Sequence, residues 1–343
     1  MKATPAILAA LLLSPSAGLF AGQAHLKVGD PAPPLRVGQL FTGSPVAKLE
    51  PGRVYVLEFW ATWCAPCIAA MPHLAQLQAK HEKEGLTVIA VAVRDEAKAV
   101  NDFVAKRKAT WNHPVAMDVT EGDASGFMAN NWLESAGREG LPWTFLVDRE
   151  GRIAWIGHPM RIDGPLAALL AGTFNPSKQQ QVDAAFAELD VKLGEALRKD
   201  RWQEVLTVLD EMNRADPASA PLNYPTKVKA LLRLGQNEAA AQFARDAAQD
   251  APASVLAGIA SELLKAPHGK AIAYDLAIRL CEQALASAES QNPVALSALA
   301  RSYEGMGKPE DAARTWQQML ALDDPRIDKE SVRKRLETLT KPR

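Results

Sequence analysis

A mixed α/β domain followed by an all-helical region is the architecture this sequence predicts, and three observations carry it. The apolar run Val54-Tyr55-Val56-Leu57-Glu58-Phe59-Trp60 leads directly into Trp63-Cys64-Ala65-Pro66-Cys67 and an alanine- and leucine-rich stretch, the pattern of a strand feeding a helix. Strand-like and helix-like segments then alternate as far as Thr173, as in a sheet with helices on both faces. Beyond Asn175 the strand pattern vanishes, and alanine and leucine recur at helical spacing to the end of the chain.

The elements follow in chain order. Arg53 to Trp60 reads as a strand, and Ala65 to Lys83 as a helix that ends at Gly85. Pro66 falls in its first turn, where a missing N–H costs nothing, whereas Pro72 lies inside the helix and is expected to kink it. The β-branched run Leu86 to Val93 is a buried strand and Glu96 to Lys108 a helix. Thr144–Asp148 and Ile153–Trp155 form a hairpin across Arg149-Glu150-Gly151, and Pro165 to Ala171 is a last short helix. The stretch Asn112 to Arg138 receives no element. The aromatics in and beside it, Trp111, Phe127 and Trp132, are expected to pack in the core, with a substrate groove as the alternative use.

Cys64 and Cys67 carry the chemistry. A thiol at a helix N-terminus meets unpaired N–H groups and the positive end of the macrodipole, which stabilise a thiolate. Two thiols separated by two residues can close a disulfide and so hold two electrons at one site. Cys64 is the expected exposed attacker, and Cys67, one turn further in, the resolving thiol. A zinc pair would need two more ligands, and the only other cysteine, Cys281, lies far off in helical sequence. A static structural disulfide is disfavoured because so short a loop gives little entropic stabilisation. Glu58 stands among apolar strand residues six positions before Cys64 and is expected to lie at least partly buried beneath the dithiol. Burial raises a carboxyl pKa, which would let Glu58 exchange a proton with Cys67. The alternative is an edge-strand glutamate in solvent.

The run Glu58 to Cys67 resembles the active-site segment of thioredoxin-like proteins, and the wider stretch resembles the TlpA/ResA group of exported thiol–disulfide oxidoreductases. Val28-Gly29-Asp30-Pro31-Ala32-Pro33, Gly140-Leu141-Pro142-Trp143-Thr144-Phe145-Leu146-Val147-Asp148 and Gly151-Arg152-Ile153-Ala154-Trp155-Ile156-Gly157 agree with it. The resemblance implies a thioredoxin-like domain over residues 27–174, with Cys64 as nucleophile, Cys67 as resolving cysteine, Pro142 following a cis peptide bond opposite the dithiol, and Glu58 as the buried acid. Many ResA-like chains carry an acidic residue three positions after the second cysteine; here that position is Ala70, so acid–base work rests on Glu58.

With 343 residues and 48% hydrophobic content the chain can fill two cores, and a net charge of −1 gives no nucleic-acid signature. No cofactor, metal or nucleic-acid partner is expected. His73 and His81 share one helix without a partner at metal-ligand spacing and are expected in solvent. Residues 1–24 combine Lys2, an apolar stretch from Ala6 to Leu13 and a small-residue end at Gly22-Gln23-Ala24, and so read as a secretory signal peptide, with an uncleaved anchor as the alternative. Periplasmic export suits disulfide chemistry.

Residues 175–185 read as a polar linker. Thereafter Val205, Ala240, Ala277 and Ala312 recur at intervals of 35, 37 and 35 at the start of second helices, while Pro217, Pro252 and Pro325 follow three of these. A helix–turn–helix repeat of about 34 residues is the tetratricopeptide signature. Four units are expected within residues 186–340, at 186–219, 221–254, 258–291 and 294–327, with a capping helix from Lys329 to Thr338, as an all-α solenoid. Cys281 reads as a small buried hydrophobe.

Three functions are thereby set against one another. The first is an exported oxidoreductase that reduces disulfides of partner proteins, is recharged by a membrane thiol donor, and holds clients on its repeats. The second is a thiol peroxidase, but peroxiredoxin-like chains place a proline seven and a Thr or Ser three positions before the reactive cysteine, where this chain has Leu57 and Ala61. The third is a non-enzymatic repeat adaptor, against which Cys64, Cys67 and Pro142 stand.

Overall fold

In a computed structural model, residues 25–107, 111–120, 126–265, 270–286, 292–322, 324 and 327–340 are described. The expected signal peptide, residues 1–24, and Pro325 lie outside them. The first half contains β1 (Val37–Thr42), β2 (Val54–Trp60), α1 (Ala65–His81), β3 (Leu86–Ala92), α2 (Ala97–Ala105), β4 (Val115–Asp118), a short π-helix (Ala129–Glu134), β5 (Trp143–Val147), β6 (Ile153–Gly157) and α3 (Asp163–Leu170). The strands form one sheet in the order β1-β4-β3-β2-β5-β6. Strands β2, β3 and β4 run parallel, and the remaining pairings are antiparallel.

Strand β2 is central and buried along its whole length, which is why it reads as a continuous apolar run. Val54, Val56 and Trp60 face a core shared with all three α-helices, while Tyr55, Leu57 and Phe59 face a second core with Trp132, Phe145 and Leu35. Helices therefore lie on both faces of the sheet, as expected, with all three α-helices on one of them. The crossovers β2-α1-β3 and β3-α2-β4 step the same way across the sheet, and right-handed crossovers stepping one way place their helices on one face. The opposite face is covered by the π-helix and the segment before β1. Helix α1 passes through a 3-10 turn to Gly85, whose φ of +93° closes it in the left-handed conformation glycine adopts freely. Within 112–138 lies the unforeseen strand β4, while Trp111 and Trp132 are buried, as core packing requires.

The helical half comprises α4 (Pro176–Arg198), α5 (Trp202–Ala215), α6 (Tyr224–Arg233), α7 (Asn237–Ala247), α8 (Ala253–Leu263), α9 (Lys270–Ala286), α10 (Pro293–Gly305), α11 (Pro309–Ala321) and α12 (Lys329–Thr340). Consecutive helices pack on each other, and α6, α8 and α10 also touch in series. Val205, Ala240, Ala277 and Ala312 all have 0% exposure, so their spacing marks positions where one helix presses on the next.

Residues 175–185 are not a linker. Asn175 caps α4 by accepting a hydrogen bond from the Lys178 N–H at 3.0 Å, and Pro176 occupies the first helical turn, so the polar run Ser177 to Gln181 is helix surface. Nor are the halves loosely joined. Arg161, in the turn after β6, donates to Asp183 of α4 at 3.1 Å and to Asp216 at 3.5 Å, and its guanidinium lies 3.7 Å over the Phe186 ring. The Trp155 indole donates to the same Asp183 at 3.4 Å. Arg161→Ala strips the buried Asp216 and the half-buried Asp183 of their cation, and an expected loss of about 2 kcal/mol should appear as a lower urea midpoint in the full-length protein. An unchanged midpoint would mean that the joint contributes nothing.

Candidate active site

Cys64 is the N-cap of α1: its sulfur accepts a hydrogen bond from the Cys67 N–H at 3.3 Å, and its carbonyl from the Ile68 N–H at 3.1 Å. The same sulfur is bonded to Cys67, with the two Cα atoms 5.3 Å apart. The site is thus in its oxidised form, and on reduction the N–H at the helix end is placed to stabilise a Cys64 thiolate. Cys64 is not the exposed residue expected: it is 4% exposed and Cys67 0%, while Trp63, beside them, is 61% exposed. The capping geometry turns the Cys64 sulfur inward over the helix end, and the indole stands out in its place.

Beneath the dithiol, β2 pairs with β5 so that Phe59 faces Trp143 and Glu58 faces Thr144. This register brings the Leu141–Pro142 peptide, which is cis, to the same end of the sheet as Cys64. Glu58 is fully buried in the central strand, not at an edge. The Thr144 hydroxyl donates to Glu58 Oε2, while Oε1 has no hydrogen-bond partner among the described residues. Burial raises the Glu58 carboxyl well above its ordinary range, and the threonine hydrogen bond offsets only part of this. A carboxyl whose pKa is raised by burial lies closer to the thiol range, and so can exchange a proton with a neighbouring thiol.

Two supporting residues went unread in the sequence. Thr144 follows Pro142 by two positions, and only the pairing of β2 with β5 reveals its partner. Asp95 Oδ2 accepts from the Thr62 N–H at 2.6 Å, and Oδ1 from the Glu96 N–H at 2.8 Å, tying the loop before Cys64 to the start of α2. A short side chain just after an apolar strand was the available signal. His73 and His81 are not in solvent: His73 bonds Asp163 and His81 bonds Glu84, each at 2.9 Å with a ring mostly covered. Cys281 is buried in the helical core, where desolvation pushes its thiol up to about 12.

A parallel sheet extended by an antiparallel hairpin, with a Cys-x-x-Cys disulfide at a helix N-terminus and a cis-proline loop beside it, defines a thiol–disulfide oxidoreductase of thioredoxin-like fold. Comparisons with known proteins agree. The Redoxin family profile matches residues 27–167. The thiol:disulfide interchange protein HelX of Rhodobacter capsulatus is 31% identical over 156 residues, covering 42% of this chain and 78% of HelX. Protein FixW of Rhizobium leguminosarum is 28% identical over 206 residues, covering 57% of this chain and 93% of FixW. The thiol-disulfide oxidoreductase ResA of Bacillus cereus is 29% identical over 136 residues, covering 40% of this chain and 72% of ResA. The chain belongs to the thioredoxin-like TlpA/ResA family of thiol–disulfide oxidoreductases.

Proposed function

We propose that this protein is exported to the periplasm and reduces disulfides of specific partner proteins, with Cys64 as nucleophile, Cys67 as resolving thiol, Glu58 as proton relay, Pro142 flanking the substrate, and the helical half binding the client. The observation that carries the chemistry is the Cys64–Cys67 disulfide at the end of α1 above a buried carboxyl of raised pKa. In the reduced protein the Cys64 thiolate attacks one sulfur of the client disulfide, forming a mixed disulfide and releasing the other sulfur as a thiolate. Cys67 gives its proton to Glu58 or to solvent and attacks Cys64, expelling the second client thiolate. The client gains two electrons and the dithiol loses them. A membrane thiol donor then restores the dithiol.

Export is supported by the pattern of residues 1–24; no described helix is long and apolar enough to cross a membrane. Tetratricopeptide-type stacking is supported by the paired helices and the buried small residues at one spacing. The direction of electron flow is tested by equilibrating the full-length protein in thiol–disulfide buffers. A potential near that of thioredoxin, about −270 mV, supports a reductant, and one near about −120 mV would reverse the direction.

The role of the helical half is tested by a chain ending at Asn175. It keeps the sheet and dithiol but uncovers Trp155 and leaves Arg161 without Asp183 and Asp216. The expected result is a less stable protein that still reduces insulin but loses its selection of natural partners, because a docking surface acts through local concentration. If Cys67→Ala forms of the short and full chains trap the same partners equally well, the helical half does not bind clients.

A further inference from the structure

The active-site dithiol is held by loops as well as by α1, and one residue, Arg94, bonds three of the surrounding segments. Arg94 follows β3 with a φ of +53°, a left-handed conformation that arginine adopts only at a cost. That conformation turns its carbonyl to accept the Trp63 indole N–H at 3.2 Å, beside Cys64. Its guanidinium runs the other way. Nη1 donates to the Glu139 carbonyl at 2.5 Å, and Nη2 to Glu134 Oε1, at the end of the π-helix, at 3.3 Å.

We propose that Arg94 is a positioning residue that sets the gap between the Trp63-Cys64 loop and the Leu141-Pro142 loop, and so governs which disulfides reach Cys64. The inference rests on the reading that Cys64 attacks client disulfides. Three points support it. The β2–β5 register places both loops at one end of the sheet, so a sulfur approaching Cys64 passes them. Cys64 itself is only 4% exposed, so access depends on how those loops stand. The segment leading to Pro142 contains Gly137, with a φ of +68°, and Gly140, a backbone with little stiffness of its own for the arginine fork to act against. A planar fork satisfies two acceptors at once, which an ammonium on a flexible stem does not reproduce.

A polypeptide disulfide must pass its backbone between the loops, whereas a small aromatic disulfide needs less room. The test compares full-length wild type, Arg94→Gly and Arg94→Lys, each reduced beforehand, against insulin and against dithionitrobenzoate. Glycine relieves the left-handed backbone and keeps the carbonyl bonded to Trp63, so the fold is retained and only the guanidinium is lost. For Arg94→Gly, the second-order rate constant of the single turnover with insulin is expected to fall about tenfold, within what a loop misplaced by an ångström costs. Its rate on dithionitrobenzoate is expected to change by less than about twofold, and its melting temperature not to fall. Arg94→Lys, which keeps one donor, should lie between.

Wild-type insulin kinetics in Arg94→Gly would overturn the proposal, and so would equal losses on both substrates, which would place Arg94 in the thiol chemistry itself. If wild type reduced neither probe, the reading of Cys64 beneath the proposal would fail first. The two failures are thus told apart by the wild-type control.

Discussion

Replacing Cys67 with alanine is expected to convert the protein from a catalyst into a trap. With no internal thiol to expel the client, the Cys64 mixed disulfide persists until an external thiol cleaves it, so covalent adducts with insulin chains should accumulate and disappear on adding dithiothreitol. Cys64→Ala is expected to abolish exchange to the uncatalysed background, because Cys67, with 0% exposure, has no route to a client sulfur. The stability cost of either change should be small, since the ring that the disulfide closes is short. The measurement is non-reducing electrophoresis with mass spectrometry of the adduct. Adducts formed by the Cys64→Ala protein through Cys67 would exchange the two roles.

The second large effect is expected at Glu58. Glu58→Gln removes the group proposed to take the Cys67 proton, so release of the mixed disulfide should slow by about a hundredfold near neutral pH, the lower end of what positioned acid–base groups contribute. The first attack by Cys64 should keep its rate. A linked stability signature reports the raised carboxyl pKa itself, independently of the relay. The folded carboxyl titrates well above its ordinary value of 4.5, so its contribution to stability is complete below that value and is lost as pH rises through the folded pKa. The melting temperature of wild type should therefore fall towards alkaline pH more steeply than that of Glu58→Gln. The amide N–H left unpaired in the variant is a cost independent of pH and does not alter the slope. Equal resolution rates across about pH 6 to 9 would reduce Glu58 to a buried structural residue.

What the sequence revealed, and what it hid, follows the range of the interactions. Strand β2 and helix α1 were legible because seven consecutive buried residues and a Cys-x-x-Cys lie in one local stretch. Thr144 was not, since its partner lies 86 residues away and only strand register brings them together. Arg94 and Asp95 were hidden for the same reason, their bonds reaching the dithiol and proline loops across the top of the sheet. Strands β1 and β4 escaped because one has an irregular register and the other four residues, too few to show alternation. The start of α4 was missed although its signals were local. Asn175 and Pro176 are a cap and a first-turn proline, but the glutamine run behind them has the composition of a linker and lacks an apolar stripe that would mark it as helix surface.

The joint at Arg161 also has a temporal side. A chain emerges from the ribosome N-terminus first, so the sheet, Cys64, Cys67 and Arg161 are all made before Asp183 and Asp216. Throughout that interval the nascent sheet carries a cation awaiting both carboxylates and a tryptophan, Trp155, awaiting its cover. The dithiol can be shaped early, whereas the seam that fastens it to the helices closes only when the last of these residues has been released. Synthesis of this molecule is therefore vectorial, with the reactive half made first and the half proposed to choose its clients made after it.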